Sequence, residues 1–137
     1  MVNPNPIKIA QIDHVVLRAK NIDIMVAFYR DVLGCKLVRH NAPMGLYHLK
    51  AGSSMIDLVD VKGKLGGGKP PGKDRHNLDH FALRVTQFDL AALRKYLKAQ
   101  GVKLGDSGER FGAKGVGQSL YMWDPEGNEV ELKGPAA

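Results

Sequence analysis

The fold is decided by a stretch that occurs twice in the chain, IDHVVLR at residues 12–18 and LDHFALR at residues 78–84. The copies are 66 residues apart, and a helical pattern of apolar residues follows each of them. The first pattern ends at Gly34 and the second at Gly101, and glycine commonly terminates a helix. A repeat of this length in a chain of 137 residues indicates two copies of one structural unit.

Beyond each helical pattern the apolar period changes from about 3.6 residues to 2, which is typical of strands. The predicted strands are Lys36–Arg39, Leu46–Lys50 and Met55–Val61 in the first half and Val102–Asp106, Gln118–Trp123 and Glu129–Lys133 in the second. With the repeated stretch as its first strand, each half has the order strand, helix and three strands. The sequence therefore predicts an α+β fold of two βαβββ modules, residues 8–61 and 78–134, with the helices on the outside.

The segment that joins the modules, residues 62–77, carries most of the excess positive charge. It contains five basic residues and one acidic residue, so +4 of the formal net charge of +6 lies there. It is also rich in glycine and proline, which favours a mobile, solvated connection. Because no predicted helix carries a cationic stripe, we expect no nucleic-acid partner.

The composition limits the remaining classes of function. Apolar residues make up 44% of the chain, and no stretch approaches the ~18 uninterrupted apolar residues of a membrane span. The N-terminal residues contain no apolar core of a signal peptide, so a cytoplasmic protein without a membrane partner is expected. Cys35 is the only cysteine, so any bound metal ion must be held by nitrogen and oxygen.

Four polar side chains fall on strand faces opposite the apolar ones, because strand residues alternate between the two faces of a sheet. His14 and His80 lie on the first strand of their halves, and Asp57 and Glu131 lie on the last. If the halves pair by a pseudo-twofold axis, these four side chains converge. Two imidazoles and two buried carboxylates suit a divalent ion such as Zn²⁺, Ni²⁺, Fe²⁺, Mn²⁺ or Co²⁺.

From residue 12 to residue 133 the chain resembles the vicinal oxygen chelate superfamily, which includes glyoxalases, bleomycin-resistance proteins and extradiol dioxygenases. The resemblance rests on the two Asp-His motifs, on FYRDVLG at residues 28–34 and on DPEGNEVEL at residues 124–132. It implies a U-shaped mixed β-sheet around a metal site. It also implies that His14, His80 and Glu131 are metal ligands and that Asp57 occupies the fourth ligand position.

The resemblance implies a metal-dependent lyase or isomerase of the glyoxalase I type, in which the metal ion stabilises an enolate-type anion. Glu131 would be the base, with Asp57 as ligand or second base. The substrate would be a small α-oxygenated or thiol-conjugated compound. The alternatives are an extradiol ring-cleavage dioxygenase, a fosfomycin-type thiol transferase and a non-catalytic binding protein like those of bleomycin resistance.

Five further residues are candidates for binding an anionic substrate, and each has a plain structural alternative. Arg18 and Arg84 end the repeated strands, where they could instead form salt bridges. Arg110 and Lys114 belong to a glycine-rich loop before the strand of Tyr121, and this loop is either a lid or a flexible surface segment. By analogy with the family, a homodimer with two sites is expected; the connection at residues 62–77 permits the modules to pair either across the dimer interface or within one chain.

Overall fold

A computed structural model describes residues 5–137; residues 1–4, part of the N-terminal stretch on which the cytoplasmic expectation depends, lie outside it. The first half of the chain forms four strands, a helix that ends in a π-helical turn, and one short 3-10 turn. These elements are β1 (His14–Ala19), α1 (Ile22–Ala27), the π-helical turn Phe28–Val32, β2 (Lys36–Asn41), the 3-10 turn Ala42–Met44, β3 (Leu46–Ala51) and β4 (Ser54–Asp60).

The second half repeats this order without the π-helical turn and the 3-10 turn. Its elements are β5 (His80–Arg84), α2 (Leu90–Ala99), β6 (Lys103–Gly112), β7 (Gly115–Trp123) and β8 (Glu129–Ala136). Each half is thus one strand, one helix and three strands, and the predicted α+β class with two βαβββ units is confirmed. Strands β6, β7 and β8 extend several residues beyond the predicted bounds, because the glycine-rich stretch before Tyr121 forms a hairpin.

The eight strands form two four-stranded sheets of the same topology. The first sheet has the order β1-β4-β3-β2 and the second the order β5-β8-β7-β6. Strand β1 pairs with β4 in parallel, as β5 does with β8, and the other pairs are antiparallel. Each strand that carries a repeated histidine therefore lies beside the strand that carries the predicted carboxylate.

The two helices begin at side-chain caps. Asn21 accepts a hydrogen bond from the backbone N–H of Ile24, and Asp89 accepts one from that of Ala92. Helix α1 widens after six residues, where the N–H of Leu33 bonds to the carbonyl oxygen of Phe28 at 3.1 Å, five residues earlier. No helix within residues 5–137 has the length and apolar character needed to cross a membrane.

One hydrophobic core spans both halves of the chain. It includes Leu17 and Leu58 from the first sheet and Leu120 and Val130 from the second, all with no exposed surface. Polar bonds also link the halves: the Tyr96 hydroxyl donates to the Val32 carbonyl oxygen at 2.7 Å. The two modules are therefore packed together along one side.

The segment between the modules is held to both of them, whereas the sequence predicted a mobile connection. The Asn77 side chain bonds the backbone of Arg18 in the first half and the Asn128 side chain in the second. Gly66 packs so closely on the end of β4 that a Cβ atom there would overlap the backbone of Asp60 and Val61. Glycine and proline here permit turns that fit the protein surface.

Candidate metal centre

The second half of the chain brings His80 and Glu131 together. Glu131 lies directly opposite Ala82 in the parallel β5–β8 pair, two residues from His80 and on the same face. The Nε2 atom of His80 is 3.3 Å from Oε1 of Glu131, without hydrogen-bond alignment. The other carboxylate oxygen, Oε2, accepts a 2.6 Å hydrogen bond from the Ser119 hydroxyl. Glu131 is 5% exposed, so its charge is largely removed from water.

The other ring nitrogen of His80 is held by the preceding residue. Its Nδ1 atom lies 2.7 Å from Asp79 Oδ2, and this hydrogen bond is the main reason that the pKa of His80 is raised above its usual value. With Nδ1 bonded to a carboxylate, Nε2 is the nitrogen that faces Glu131. A histidine that binds a metal ion through one nitrogen commonly donates from the other to a carboxylate.

Tyr121, a candidate for substrate binding from the sequence, lies beside this pair. Its ring centroid is 5.7 Å from that of His80, and it is directly opposite Glu131 in the β7–β8 pair. Burial and the charge of Glu131 raise the pKa of the Tyr121 hydroxyl. The guanidinium of Arg110 lies 5.6 Å from the Tyr121 ring centroid, so Arg110 also contributes to this face.

The first half of the chain forms a similar arrangement around His14 and Asp57. Nδ1 of His14 is 2.6 Å from Asp13 Oδ1, and this bond is the largest cause of the raised pKa of His14, with the charge of Asp57 also contributing. Asp57 is 5% exposed and lies opposite Val16 in the parallel β1–β4 pair. The Asp-His repeat therefore produces the same carboxylate–imidazole contact twice.

His48 is part of the first half-site and was not predicted from the sequence. It lies directly opposite Asp57 in the antiparallel β3–β4 pair, and its Nδ1 is 3.0 Å from Asp57 Oδ1. The sequence does contain a feature that could have identified it. In a hairpin with a two-residue turn at Gly52-Ser53, residue 48 pairs with residue 57. In the second half the corresponding position, opposite the carboxylate, is occupied by Tyr121.

The four predicted ligands do not form one cluster within a single chain. Within residues 5–137, one group of three side chains has its possible ligand atoms within 4.8 Å of one another. It consists of Asp79, His80 and Glu129. The predicted ligands instead form two half-sites, His14 with Asp57 and His80 with Glu131.

The donor chemistry nevertheless fits a divalent ion. Imidazole nitrogens and buried carboxylates suit Zn²⁺, Ni²⁺, Fe²⁺, Mn²⁺ or Co²⁺. Asp57 Oδ1 is buried and accepts no hydrogen bond from the described residues, which is costly for a carboxylate without a cation.

Of the basic residues predicted to bind substrate, some are hydrogen-bonded to the protein and others are exposed to solvent. The Arg18 guanidinium donates to the carbonyl oxygens of Gly66 and Lys69, so it holds the connecting segment rather than forming the alternative salt bridge. Arg84 is exposed on β5, opposite Lys133 of β8. Lys114 is exposed at the turn of the β6–β7 hairpin.

Lys133 is a further cation on the face of Glu131. It is 5% exposed, and its ammonium donates to the carbonyl oxygens of Arg110 at 2.5 Å and Gly117 at 3.5 Å. The side chain passes over Gly112, where a Cβ atom would overlap it. Lys133 therefore ties the β6–β7 hairpin, with Arg110 on it, to the strand of Glu131.

Comparison with known proteins gives a consistent result. Residues 11–132 match the family model described as the Glyoxalase/Bleomycin resistance protein/Dioxygenase superfamily. An integron cassette protein of V. cholerae is 30% identical, with a TM-score of 0.73, over 95% of this chain and 98% of that one. A virulence protein from Salmonella typhimurium is 26% identical, with a TM-score of 0.72, over 93% and 98% of the two chains. A lactoylglutathione lyase from Agrobacterium tumefaciens is 25% identical, with a TM-score of 0.63, over 95% and 96%.

Proposed function

The chain belongs to the Glyoxalase/Bleomycin resistance protein/Dioxygenase superfamily, and on this premise we propose that it is a metal-dependent lyase or isomerase of the glyoxalase I type. Its substrate is a small α-oxygenated or thiol-conjugated compound. The observation that carries the proposal is the contact of His80 with the buried Glu131, and in the first half the charge of Asp57 likewise raises the pKa of His14. The similarity to a lactoylglutathione lyase favours this reaction class.

His14, Asp57, His80 and Glu131 are the residues that would hold the ion. When bound, a divalent ion supplies a positive charge that stabilises negative charge developing on adjacent substrate oxygens. Asp13 and Asp79 hold the Nδ1 atoms of the two histidines, so that the Nε2 atoms are presented in a defined orientation. This arrangement reduces the rearrangement needed at the site during reaction.

Glu131 is the proposed base. Its Oε2 atom is fixed by the Ser119 hydroxyl, and burial within the sheet removes most of the water that would otherwise solvate the carboxylate. A carboxylate in such surroundings can remove a proton from one substrate carbon and return it to the adjacent carbon, when these carbons carry oxygen atoms. The Tyr121 hydroxyl belongs to the same face and is available to donate to a substrate oxygen.

An anionic group of the substrate would bind on the basic side of this face. Arg84 is exposed on β5 beside the strand of Glu131, and Arg110 lies against Tyr121. Lys114, exposed at the turn of the β6–β7 hairpin, would supply a further cation. Guanidinium groups bind carboxylates and phosphates in a bidentate manner, so a small anionic substrate fits these residues. Arg18 is left out of this role because the connecting segment occupies its guanidinium.

A homodimer would complete the site. Because a single chain holds two separate half-sites, the half with His14 from one copy would face the half with His80 from its partner. On this view residues 8–61 and 78–134 are the two units and residues 62–77 connect them. Two equivalent sites then form at one interface, as expected for a twofold dimer.

Metal content and turnover test the proposed function. The purified protein should bind Zn²⁺ or Ni²⁺ and, in that form, convert the adduct of methylglyoxal and glutathione or a related compound. The variant His80→Ala should lose both metal and turnover, whereas His76→Ala, which changes an exposed histidine of the connecting segment, should retain them. Full metal occupancy in His80→Ala would refute the site.

Mixing two inactive variants tests the shared site. Each heterodimer of His14→Ala and His80→Ala chains would have one site with both mutations and one intact site. We therefore expect co-refolded variants to recover about a quarter of the wild-type turnover, on the basis of random pairing of the copies. If each site formed within one chain, no turnover would return on mixing.

Ring-cleavage dioxygenase activity is the second candidate. It is favoured by the contact of Tyr121 with His80, since a two-histidine, one-carboxylate set with an adjacent acid–base group suits Fe²⁺ and oxygen chemistry. Oxygen uptake with a catechol in the Fe²⁺-loaded protein, together with absent lyase turnover, would select this reaction over the first.

A further inference from the structure

His48 and Asp57 form an unusual contact on the face of the first sheet that carries His14. The two side chains are 18% and 7% exposed, and Nδ1 of His48 is 3.0 Å from Oδ1 of Asp57. Despite this short distance the atoms are not aligned for a hydrogen bond, and Asp57 Oδ1 accepts none from the described residues. A buried carboxylate oxygen without a hydrogen-bond partner is costly, and a cation bound between the two atoms would compensate this cost.

The separation of the two atoms is that of neighbouring ligands of one ion. Zn²⁺ bonds of about 2.0–2.2 Å, at angles of about 90–109°, place adjacent ligand atoms roughly 2.8–3.6 Å apart. The His48–Asp57 distance of 3.0 Å falls in this range. The His80–Glu131 distance of 3.3 Å, also without hydrogen-bond alignment, falls in it as well.

The position of His48 in the sheet allows it to reach the half-site. His48 is opposite Asp57, as Tyr121 is opposite Glu131. In the second half the Tyr121 ring does reach the repeated histidine, since its centroid is 5.7 Å from that of His80. Because the two sheets have the same strand order, His48 occupies the position beside Asp57 that Tyr121 occupies beside Glu131.

From these relationships we infer that His48 is a metal ligand, which binds through Nδ1 beside Asp57. The inference rests on the proposed function, because the ion is the one held by that site. It adds a third imidazole to the metal ligands. Asp57, whose side chain is short, would then bind the ion beside His48 rather than alone. A site richer in nitrogen favours Zn²⁺, Ni²⁺ or Co²⁺ over Mn²⁺.

The nitrogen that binds the ion gives His48 a distinctive signature. His14 and His80 have carboxylates on Nδ1, so their Nε2 atoms are available, whereas His48 would bind through Nδ1 and carry its proton on Nε2. Long-range ¹H–¹⁵N spectra of the imidazole rings distinguish these tautomers. On addition of Zn²⁺ we expect the Nδ1 resonance of His48 to move to the metal-bound range, with the proton on Nε2.

Two variants assign and control the measurement. His48→Gln should remove the Nδ1-bound signal, alter the visible spectrum of the Co²⁺-loaded protein and weaken metal binding more than about tenfold, the lower end for loss of a supporting group. His40→Gln is the matched control, because His40 is an exposed histidine that lies edge-on to the Tyr47 ring. It should leave all three measurements unchanged.

The outcomes separate this inference from the proposed function. If the protein binds Zn²⁺ and only two imidazoles respond, with His48 unchanged, then His48 is an ion-pair partner of Asp57 and the inference is wrong. If no imidazole responds and no metal is retained, the proposed function itself fails. The titration on the unmodified protein decides the matter even if His48→Gln does not fold.

Discussion

The Tyr29 hydroxyl donates a 2.7 Å hydrogen bond to Asp124 and so joins the helix of the first half to the last turn of the second. Both residues are buried, and burial raises the pKa of the Asp124 carboxyl while the bonds from Tyr29 and Asn128 lower it. The same carboxylate accepts the backbone N–H groups of Glu126 and Asn128. One buried side chain therefore orders the turn before Glu131 and the contact between the halves.

Removal of the Tyr29 hydroxyl should destabilise the protein. A hydrogen bond to a charged group contributes about 1.5–3 kcal/mol, so we expect Tyr29→Phe to lower the free energy of unfolding by about that amount. Urea denaturation followed by circular dichroism measures it. The control is Tyr47→Phe, since Tyr47 lies on a strand and its hydroxyl makes no hydrogen bond to residues 5–137. An equal loss in both variants would show that the bond to Asp124 contributes little.

Gly66 should not tolerate a methyl group. A Cβ atom there would overlap the Asp60 carbonyl oxygen and the Val61 backbone, which cannot rotate away. We expect Gly66→Ala to cost about 1–3 kcal/mol, the usual range for overpacking, and to increase proteolysis between the modules. Gly72→Ala is the matched control, because open space surrounds that glycine. Equal thermal stability of both variants would contradict the close packing of this segment.

Metal binding should weaken on acidification in a way that depends on Asp79. The hydrogen bond to Asp79 raises the pKa of His80, so protons compete with the ion up to a higher pH than for a free imidazole. In Asp79→Asn the pKa of His80 should fall, because the hydrogen bond that raises it is weakened. An NMR pH titration of the imidazole in the metal-free protein measures this pKa, and calorimetric titrations across a pH series measure the loss of metal. An unchanged or higher pKa of His80 in the metal-free variant would contradict the assigned cause.

Ser119 should matter through Glu131. Its hydroxyl donates a 2.6 Å hydrogen bond to Oε2 of Glu131, and both groups are buried. We expect Ser119→Ala to weaken metal binding about 10–100-fold, the usual effect of losing a group that orients a ligand. Ser53→Ala, at the exposed β3–β4 turn, should have no effect. Unchanged affinity in Ser119→Ala would mean that Glu131 is positioned by the sheet alone.

The alternation of side chains along the strands was the most predictable feature. Leu17 and Val130 are buried in the core, while His14 and Glu131 lie on the opposite face, as period-2 alternation requires. The repeat of the Asp-His motif predicted that the two halves have the same topology, because similar sequences form similar local structure. Both features depend on residues that are close together in the sequence, so they can be predicted from the sequence pattern.

Features that depend on packing between distant segments were not predictable. The widening of the first helix at Phe28 was not predicted, because the apolar pattern of residues 24–33 has the spacing of a regular α-helix. His48 was missed because its importance comes from its partner across the hairpin, Asp57. The separation of the two half-sites depends on how the modules pack, which no local pattern specifies.

The anchoring of the connecting segment has a consequence for engineering. Asn77, at the end of the connecting segment, bonds Arg18 of the first half, and Tyr29 of the first half bonds Asp124 of the second. Contacts other than the covalent chain between Lys69 and Gly72 therefore join the halves. Two fragments divided there carry complementary docking surfaces. Such fragments should reassemble when expressed together. The protein could then serve as a split reporter, in which association of the two fragments restores the folded protein.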